Sequence, residues 1–103
     1  MGCCNITNIR TTAVAFDNTA STLTYTISTN SLTAGNPYNI IFNQTIPTTS
    51  TINANIIITD GTSNYQVLTR KGYDLLVKNI INKNGLKLWY NGASFILRNF
   101  IEV

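Results

Sequence analysis

Side chains able to carry acid–base chemistry are few in this chain of 103 residues, which has four Asp and Glu residues and no His. Without His, the commonest general base and the commonest metal ligand are both missing. A glycosidase-type reaction needs two carboxylates at a fixed separation across the substrate, and Asp60 and Asp74 are one candidate pair. Their spacing does not favour that role, and we do not expect an enzyme.

Turn formation explains two of the four carboxylates. Asp17 precedes Asn18 and Asp60 precedes Gly61, and both pairs read as turns in which Asp hydrogen-bonds to nearby backbone. A small hydrolase survives as an alternative only if Asp17, Asp60 or Asp74 lies in a deep pocket beside a second carboxylate.

The two cysteines, Cys3 and Cys4, are adjacent. A disulfide between them would be strained, because bridged Cα atoms prefer about 5.5–6 Å and neighbours lie about 3.8 Å apart. Two Cys residues without His do not complete a tetrahedral metal site. We therefore expect neither a metal nor another cofactor.

The polar surface depends on Thr and Asn, since charged residues make up only 11% of the chain against about 25% in ordinary soluble domains. Such a surface has weak electrostatic protection against association. It suits a protein that is packed against neighbours, with self-association into a homo-oligomer left open.

The charge is uneven along the chain: residues 1–69 carry one cation and two anions, and residues 70–103 carry six cations and two anions. This asymmetry indicates either an anionic partner or solvated cations that keep strand edges from pairing. We favour the second explanation, because the charges are spread over many strands. With no dense basic run and no apolar run of about 18 residues, neither nucleic-acid binding nor a membrane span is expected.

Strand signals recur along the whole chain. Apolar and polar residues alternate over 22–28, and further strands are predicted at 9–16, 38–42, 54–59 and 65–70. Strict alternation in the 9–16 strand puts Val14 and Phe16 on the face opposite to that of Ile9 and Thr11. Asn91-Gly92 tolerates positive φ at both central positions of a tight turn, so it predicts a hairpin between 86–90 and 94–103. The 73–82 segment fits a strand or a short helix, and we favour the strand.

Together these signals predict an all-β fold: a single-domain antiparallel β-sandwich or barrel of about eight short strands, with one short helix near 73–82 as the alternative. Residues 9–103 would form the β-domain. Residues 1–8 would form a flexible N-terminal arm.

The candidate partner-binding residues lie in the basic final third. Lys87 and Trp89 share one face of their strand, while Leu86, Leu88 and Tyr90 share the other. If the second face is core, Trp89 is exposed beside Lys87 and is a plausible hot spot for a protein or glycan. The alternative places Trp89 in the core, with Lys87 extending past it to solvent.

Two further cations, Lys71 and Arg98, complete this set of candidate partner-binding residues.

The final third also resembles small virion proteins and fibre-attached domains of tailed bacteriophages. The resemblance rests on Gly72 to Leu76 and on the hairpin Leu88 to Leu97, LWYNGASFIL. The Asn-, Ile- and Lys-rich composition resembles that of proteins encoded by AT-rich phage genomes, such as those of the crAss-like group. The first two-thirds of the chain match no such pattern.

This resemblance implies a non-enzymatic structural protein of the virion, made in the host cytoplasm. A short β-domain without fibre repeats most resembles a capsid auxiliary (decoration) protein whose partner is the major capsid protein. The alternative is a tail, neck or fibre-attached β-domain that binds host surface glycans or other tail proteins.

Overall fold

A computed structural model describes residues 7–28 and 32–102. In these residues seven strands and one helix follow in the order β1 (Thr7–Asp17), β2 (Thr22–Ile27), β3 (Pro37–Ile41), β4 (Asn55–Thr59), β5 (Asn64–Leu68), α1 (Val77–Ile80), β6 (Lys83–Tyr90) and β7 (Phe95–Glu102). The strands close into a barrel in the order β1-β2-β4-β5-β7-β6-β3. The prediction of an all-β fold is confirmed.

Strand directions in the barrel are mixed, which corrects the prediction of a purely antiparallel sheet. Three pairs of the described strands, β1–β3, β2–β4 and β5–β7, are parallel. The other four pairs are antiparallel. Parallel neighbours need a long crossover connection, so they join segments that are distant in the sequence.

The interior of the barrel is filled by one side of each strand. In β2 the inward residues Leu23, Tyr25 and Ile27 are buried, and the intervening threonines are half-buried. The alternation read from the sequence is therefore confirmed for this strand. The remaining core comes mainly from β3 to β7, from α1 and from Leu75 shortly before α1. Its almost fully buried residues include Ile40, Ile56, Ile58, Val67, Leu75, Ile80, Leu86, Leu88 and Phe95.

A bulge in β1 reverses the faces expected from strict alternation. Ile9 and Thr11 are buried, as one face requires, but Val14 and Phe16 also pack against the core. The register with β2 shifts between Thr11 and Ala13. One extra residue moves the following side chains to the other face of a strand, which is why the sequence pattern misassigned this half of β1.

The 73–82 segment forms no strand of its own, so an eighth strand is not confirmed. Asp74 and Leu76 make only isolated bridges, to Leu68 and Asn55. The chain then turns into the four-residue helix α1, whose Val77 backbone N–H donates to the Ala54 carbonyl at 2.9 Å. The expectation of a strand is wrong here, and the short helix that was the alternative is present.

The β6–β7 hairpin is the local element that the sequence predicted best. Its connection spans Asn91 to Ser94, and only Gly92 of the Asn-Gly pair has a positive φ, at 99°. The Asn91 Oδ1 atom accepts hydrogen bonds from the backbone N–H groups of Ala93 at 2.9 Å and Ser94 at 2.7 Å. The hairpin is confirmed, with a longer turn than the two-residue type expected.

Gly85 allows β3 and β6 to lie close together. A Cβ at this position would be 2.2 Å from the Ile40 carbonyl oxygen and 3.0 Å from Ile101 Cδ1. Only a residue without a side chain fits such a close approach of two backbones. Gly85 is therefore a residue of β6, paired with Ile41 of β3.

The barrel begins earlier in the chain than the sequence predicted. Thr7 and Asn8, assigned from the sequence to a flexible arm, pair with Tyr38 and Asn39 of β3. The rest of that arm, including Cys3 and Cys4, lies outside the described residues.

No helix in the described ranges is long and apolar enough to cross a bilayer.

Candidate docking site

Trp89 is exposed on the outer wall of the barrel. Its side chain is 40% exposed, whereas its β6 neighbours Leu88 and Tyr90 are buried. Lys87, two residues earlier, is also exposed. Of the two placements open from the sequence, the outward one is therefore correct, and both side chains stand on the solvent side of β6.

An apolar row runs across four strands at the level of Trp89. Trp89 pairs with Pro37 of β3 on one side and with Ile96 of β7 on the other, and Ile96 pairs with Leu68 of β5. Pro37, Leu68 and Ile96 are half-buried, while Tyr38, Val67 and Phe95 beside them are core residues. The row therefore faces outward and presents apolar surface to solvent.

A polar row lies next to the apolar one. Lys87 pairs with Asn39 of β3 and with Asn99 of β7. Asn39 pairs in turn with Asn8 of β1, and the Asn39 Nδ2 atom donates to the Asn8 Oδ1 atom at 3.0 Å. Asn residues of three strands thus lie in one row with Lys87.

Cations border the apolar row on its β5–β7 side. Arg98 is the extra residue of a bulge in β7, and its backbone carbonyl accepts a hydrogen bond from the Arg70 guanidinium group. Lys71 follows Arg70 in the turn after β5, and all of these cations are exposed. Among residues 7–28 and 32–102, no carboxylate forms a salt bridge with Arg70, Lys71, Lys87 or Arg98. We call this surface the Trp89 face. It consists of Pro37, Leu68, Trp89 and Ile96 together with the four cations.

A second aromatic side chain stands at the edge of the Trp89 face. Tyr73 is 71% exposed. Its backbone is fixed to the end of β5, because the Thr69 N–H donates to the Tyr73 carbonyl at 2.7 Å. Trp, Tyr and Arg are the residue types that dominate binding energy in protein interfaces, so the composition of this surface suits protein docking.

All four residues predicted to bind a partner, Lys71, Lys87, Trp89 and Arg98, are exposed. Sequence reasoning missed Pro37, Leu68 and Ile96, because only the pairing of distant strands places them beside Trp89. It missed Arg70 and Tyr73 as well. A signal for these two was available, since Arg70 directly precedes Lys71 and Tyr73 lies in the Gly72 to Leu76 segment on which the resemblance rests.

The carboxylates of two turns hold backbone. Asp17 Oδ1 accepts from the N–H groups of Thr19 and Ala20 at 2.9 and 3.2 Å. Asp60 Oδ1 accepts from those of Ser63 and Thr62 at 2.7 and 2.9 Å. These bonds, Ser63 first, lower the pKa of Asp60 below its usual value because they favour the charged form. The turn roles predicted for Asp17 and Asp60 are confirmed.

In the described part of the chain, no three His, Cys, Asp or Glu side chains lie together as a metal site requires.

Comparison with known proteins found no matching family model and no significantly similar curated protein or solved structure.

Proposed function

We propose that this chain is a non-enzymatic structural protein of a tailed-phage virion, a capsid auxiliary protein that docks on the major capsid shell through the Trp89 face. The observation that carries the proposal is an exposed Trp in an apolar row, bordered by four cations that have no carboxylate partner within the described ranges. The link to the virion comes from the sequence resemblance of the β6–β7 hairpin.

The chemistry of the partner surface follows from this face. An apolar depression would receive the Trp89 ring, since large aromatic side chains supply most of the energy at the centre of an interface. Acidic side chains around it would meet Lys71, Lys87 and Arg98. Charge complementarity of this kind guides encounter and fixes orientation, and salt weakens it when the charges are exposed.

A binding assay on purified shells of the encoding phage tests the docking. Trp89→Ala should weaken binding about 30-fold, which corresponds to about 2 kcal/mol for a hot-spot residue. Lys87→Glu should weaken it as well, and more at low salt than at high salt. The control is Thr24→Ala, which changes a half-buried residue of β2 on the opposite wall. This variant should bind normally.

Two results would overturn the proposal. Absence of the protein from purified virions, as determined by mass spectrometry, would exclude the virion role. Undiminished shell binding by Trp89→Ala would remove the Trp89 face as the docking surface.

A glycan-binding tail, neck or fibre-attached domain is the second candidate, and the amide row favours it. Trp rings stack on sugar rings, and Asn side chains both donate to and accept from sugar hydroxyls. Here Asn39 and Asn99 pair with Lys87, in the row next to that of Trp89, and Asn8 pairs with Asn39. A glycan array separates the candidates. Binding that is lost in both Trp89→Ala and Asn39→Ala supports the glycan role, and an array without any bound glycan contradicts it.

A further inference from the structure

A cleft of about 590 Å³ opens beside the first half of β1, and residues after β2 and before β3 complete its lining. The Thr7–Arg10 part of β1 pairs with β3 on one side, whereas β2 pairs with β1 only from Thr11 onward. The other edge of Thr7–Arg10 therefore has no partner among the described strands. The segment before β3 is fixed to that strand, because the Thr33 N–H donates to the Tyr38 hydroxyl at 2.8 Å.

The accessible lining of this cleft is polar. Ile9 and Tyr38 also line it but are almost fully buried. Small-molecule sites of about 300–1,000 Å³ are usually lined by apolar side chains, so the composition here favours a polar ligand. The exposed side chains that a bound molecule meets include Asn8, Arg10, Thr12, Ser28, Thr33 and Asn36.

The hydroxyl and amide groups of the cleft provide both donors and acceptors. The Asn8 Oδ1 atom already accepts from the Asn39 Nδ2 atom at 3.0 Å, so toward a ligand the Asn8 amide acts as a donor. The Thr12 hydroxyl donates to the Thr26 carbonyl at 3.3 Å, so its oxygen acts as an acceptor. Such a mixed set suits the hydroxyl groups of a sugar, each of which both donates and accepts.

Arg10 supplies the charge of the cleft, and it is the only Lys or Arg among residues 1–69. All four acidic residues of the chain lie within the described ranges, and none of them lines the cleft or forms a salt bridge with Arg10. A guanidinium group binds a carboxylate through two parallel hydrogen bonds. The cleft therefore favours a ligand that carries a negative charge.

We propose that the cleft binds a sugar that carries a carboxylate group. Arg10 binds the carboxylate, and the hydroxyl and amide side chains around it bind the sugar hydroxyls. This site does not depend on the docking function proposed for the Trp89 face, because none of the residues that define that face lines the cleft.

Three probes separate the two parts of this ligand. Methyl glucuronide carries both ring and carboxylate, methyl glucoside has a hydroxymethyl group in place of the carboxylate, and acetate has the carboxylate without the ring. Each is titrated at low salt into the wild type and into Arg10→Gln, with NMR shifts of the Thr12 and Asn36 amides as the readout. The wild type should bind methyl glucuronide more tightly than either other probe.

In Arg10→Gln the affinity for methyl glucuronide relative to methyl glucoside should fall about fivefold, the upper range for an exposed ion pair. Lys78→Gln is the matched control, since it removes one exposed positive charge from α1, which contributes no described residue to the lining. Its ratio should equal that of the wild type.

Three results would overturn the proposal. An unchanged ratio in Arg10→Gln would exclude Arg10 as the carboxylate ligand. Equal affinities for acetate and methyl glucuronide would exclude recognition of the sugar. Absence of shifts at Thr12 and Asn36 with methyl glucuronide would exclude the cleft.

Discussion

Two outer walls of the same barrel differ sharply in chemistry. On the outer side of β2, Thr22, Thr24 and Thr26 pair with Asp17, Ala15 and Ala13 of β1, and we call this surface the threonine wall. The Trp89 face instead combines apolar side chains with cations. Both walls cover the same apolar interior, so the core does not require this difference, and the Trp89 face is the wall whose outward residues fit a binding role.

The largest expected effect tests how tightly the wall that carries Trp89 is packed. Gly85→Ala places a methyl group 2.2 Å from the Ile40 carbonyl oxygen, so β3 and β6 must move apart. We expect a loss of about 3 kcal/mol or more in the free energy of unfolding, measured by urea denaturation.

Gly61→Ala is the control, because its Cβ would meet no atom within 4 Å although its φ is +93°. Backbone strain alone should cost about 1 kcal/mol there. Equal losses in the two variants would contradict the close approach at Gly85.

The next effect comes from Tyr25, on the inner side of the threonine wall. Its pKa is raised by burial from 10.0 to about 12, so the unfolded chain loses this proton at lower pH than the folded protein. The contribution of Tyr25 to stability is full below pH 10 and is lost as the pH rises to about 12, at roughly 1.4 kcal/mol per pKa unit.

Tyr25→Phe removes this contribution. Between pH 10 and pH 12 the unfolding free energy of the wild type should therefore fall by about 2 kcal/mol more than that of the variant. Parallel curves for the two proteins would show that Tyr25 is not desolvated in the folded state.

Each wall has one hairpin with a side chain that caps its turn, and these caps should contribute about equally. Asp17 caps the β1–β2 turn and Asn91 caps the β6–β7 turn, each through two backbone N–H groups. Asp17→Ala and Asn91→Ala should each lower the unfolding free energy by about 1 kcal/mol in thermal denaturation.

Asp17→Asn and Asn91→Asp keep an Oδ1 acceptor and should stay close to the wild type. A much larger loss at Asn91 would show that the hairpin of the Trp89 face is the less tolerant of the two.

The smallest effect concerns Asp60, at the turn that joins β4 to β5. Hydrogen bonds from Ser63 and Thr62 lower its pKa below 3.8, so its contribution to stability is present above that pH and is lost as the pH falls further. Asp60→Asn should lose less stability than the wild type below pH 3.8, measured by thermal melts from pH 5 to pH 2. The same acid loss in both proteins would contradict this assignment.

Local patterns in the sequence were sufficient for several elements. Alternation gave the buried side of β2, and Asn91-Gly92 gave the β6–β7 hairpin, because side-chain period and turn chemistry act over a few residues. The bulge after Thr11 was not predictable, since pairing with β2 defines it. The parallel pairs were missed for the same reason.

The candidate site was predictable in part. Lys87 and Trp89 were placed on one face from the spacing within β6, and the structure confirms their exposure. Pro37, Leu68 and Ile96 come from three other strands, and no local pattern brings them to Trp89. Cross-strand register is a long-range property, so a surface assembled from it is visible only in the folded chain.

Closure of the barrel also determines when this chain can fold. β3 obtains its second neighbour only from β6, and β5 only from β7, with Pro37 paired to Trp89 and Leu68 to Ile96. Such distant contacts slow folding. During synthesis, β1 to β5 emerge before either partner exists, so unpaired strand edges stay available for aggregation until the β6–β7 hairpin has left the ribosome.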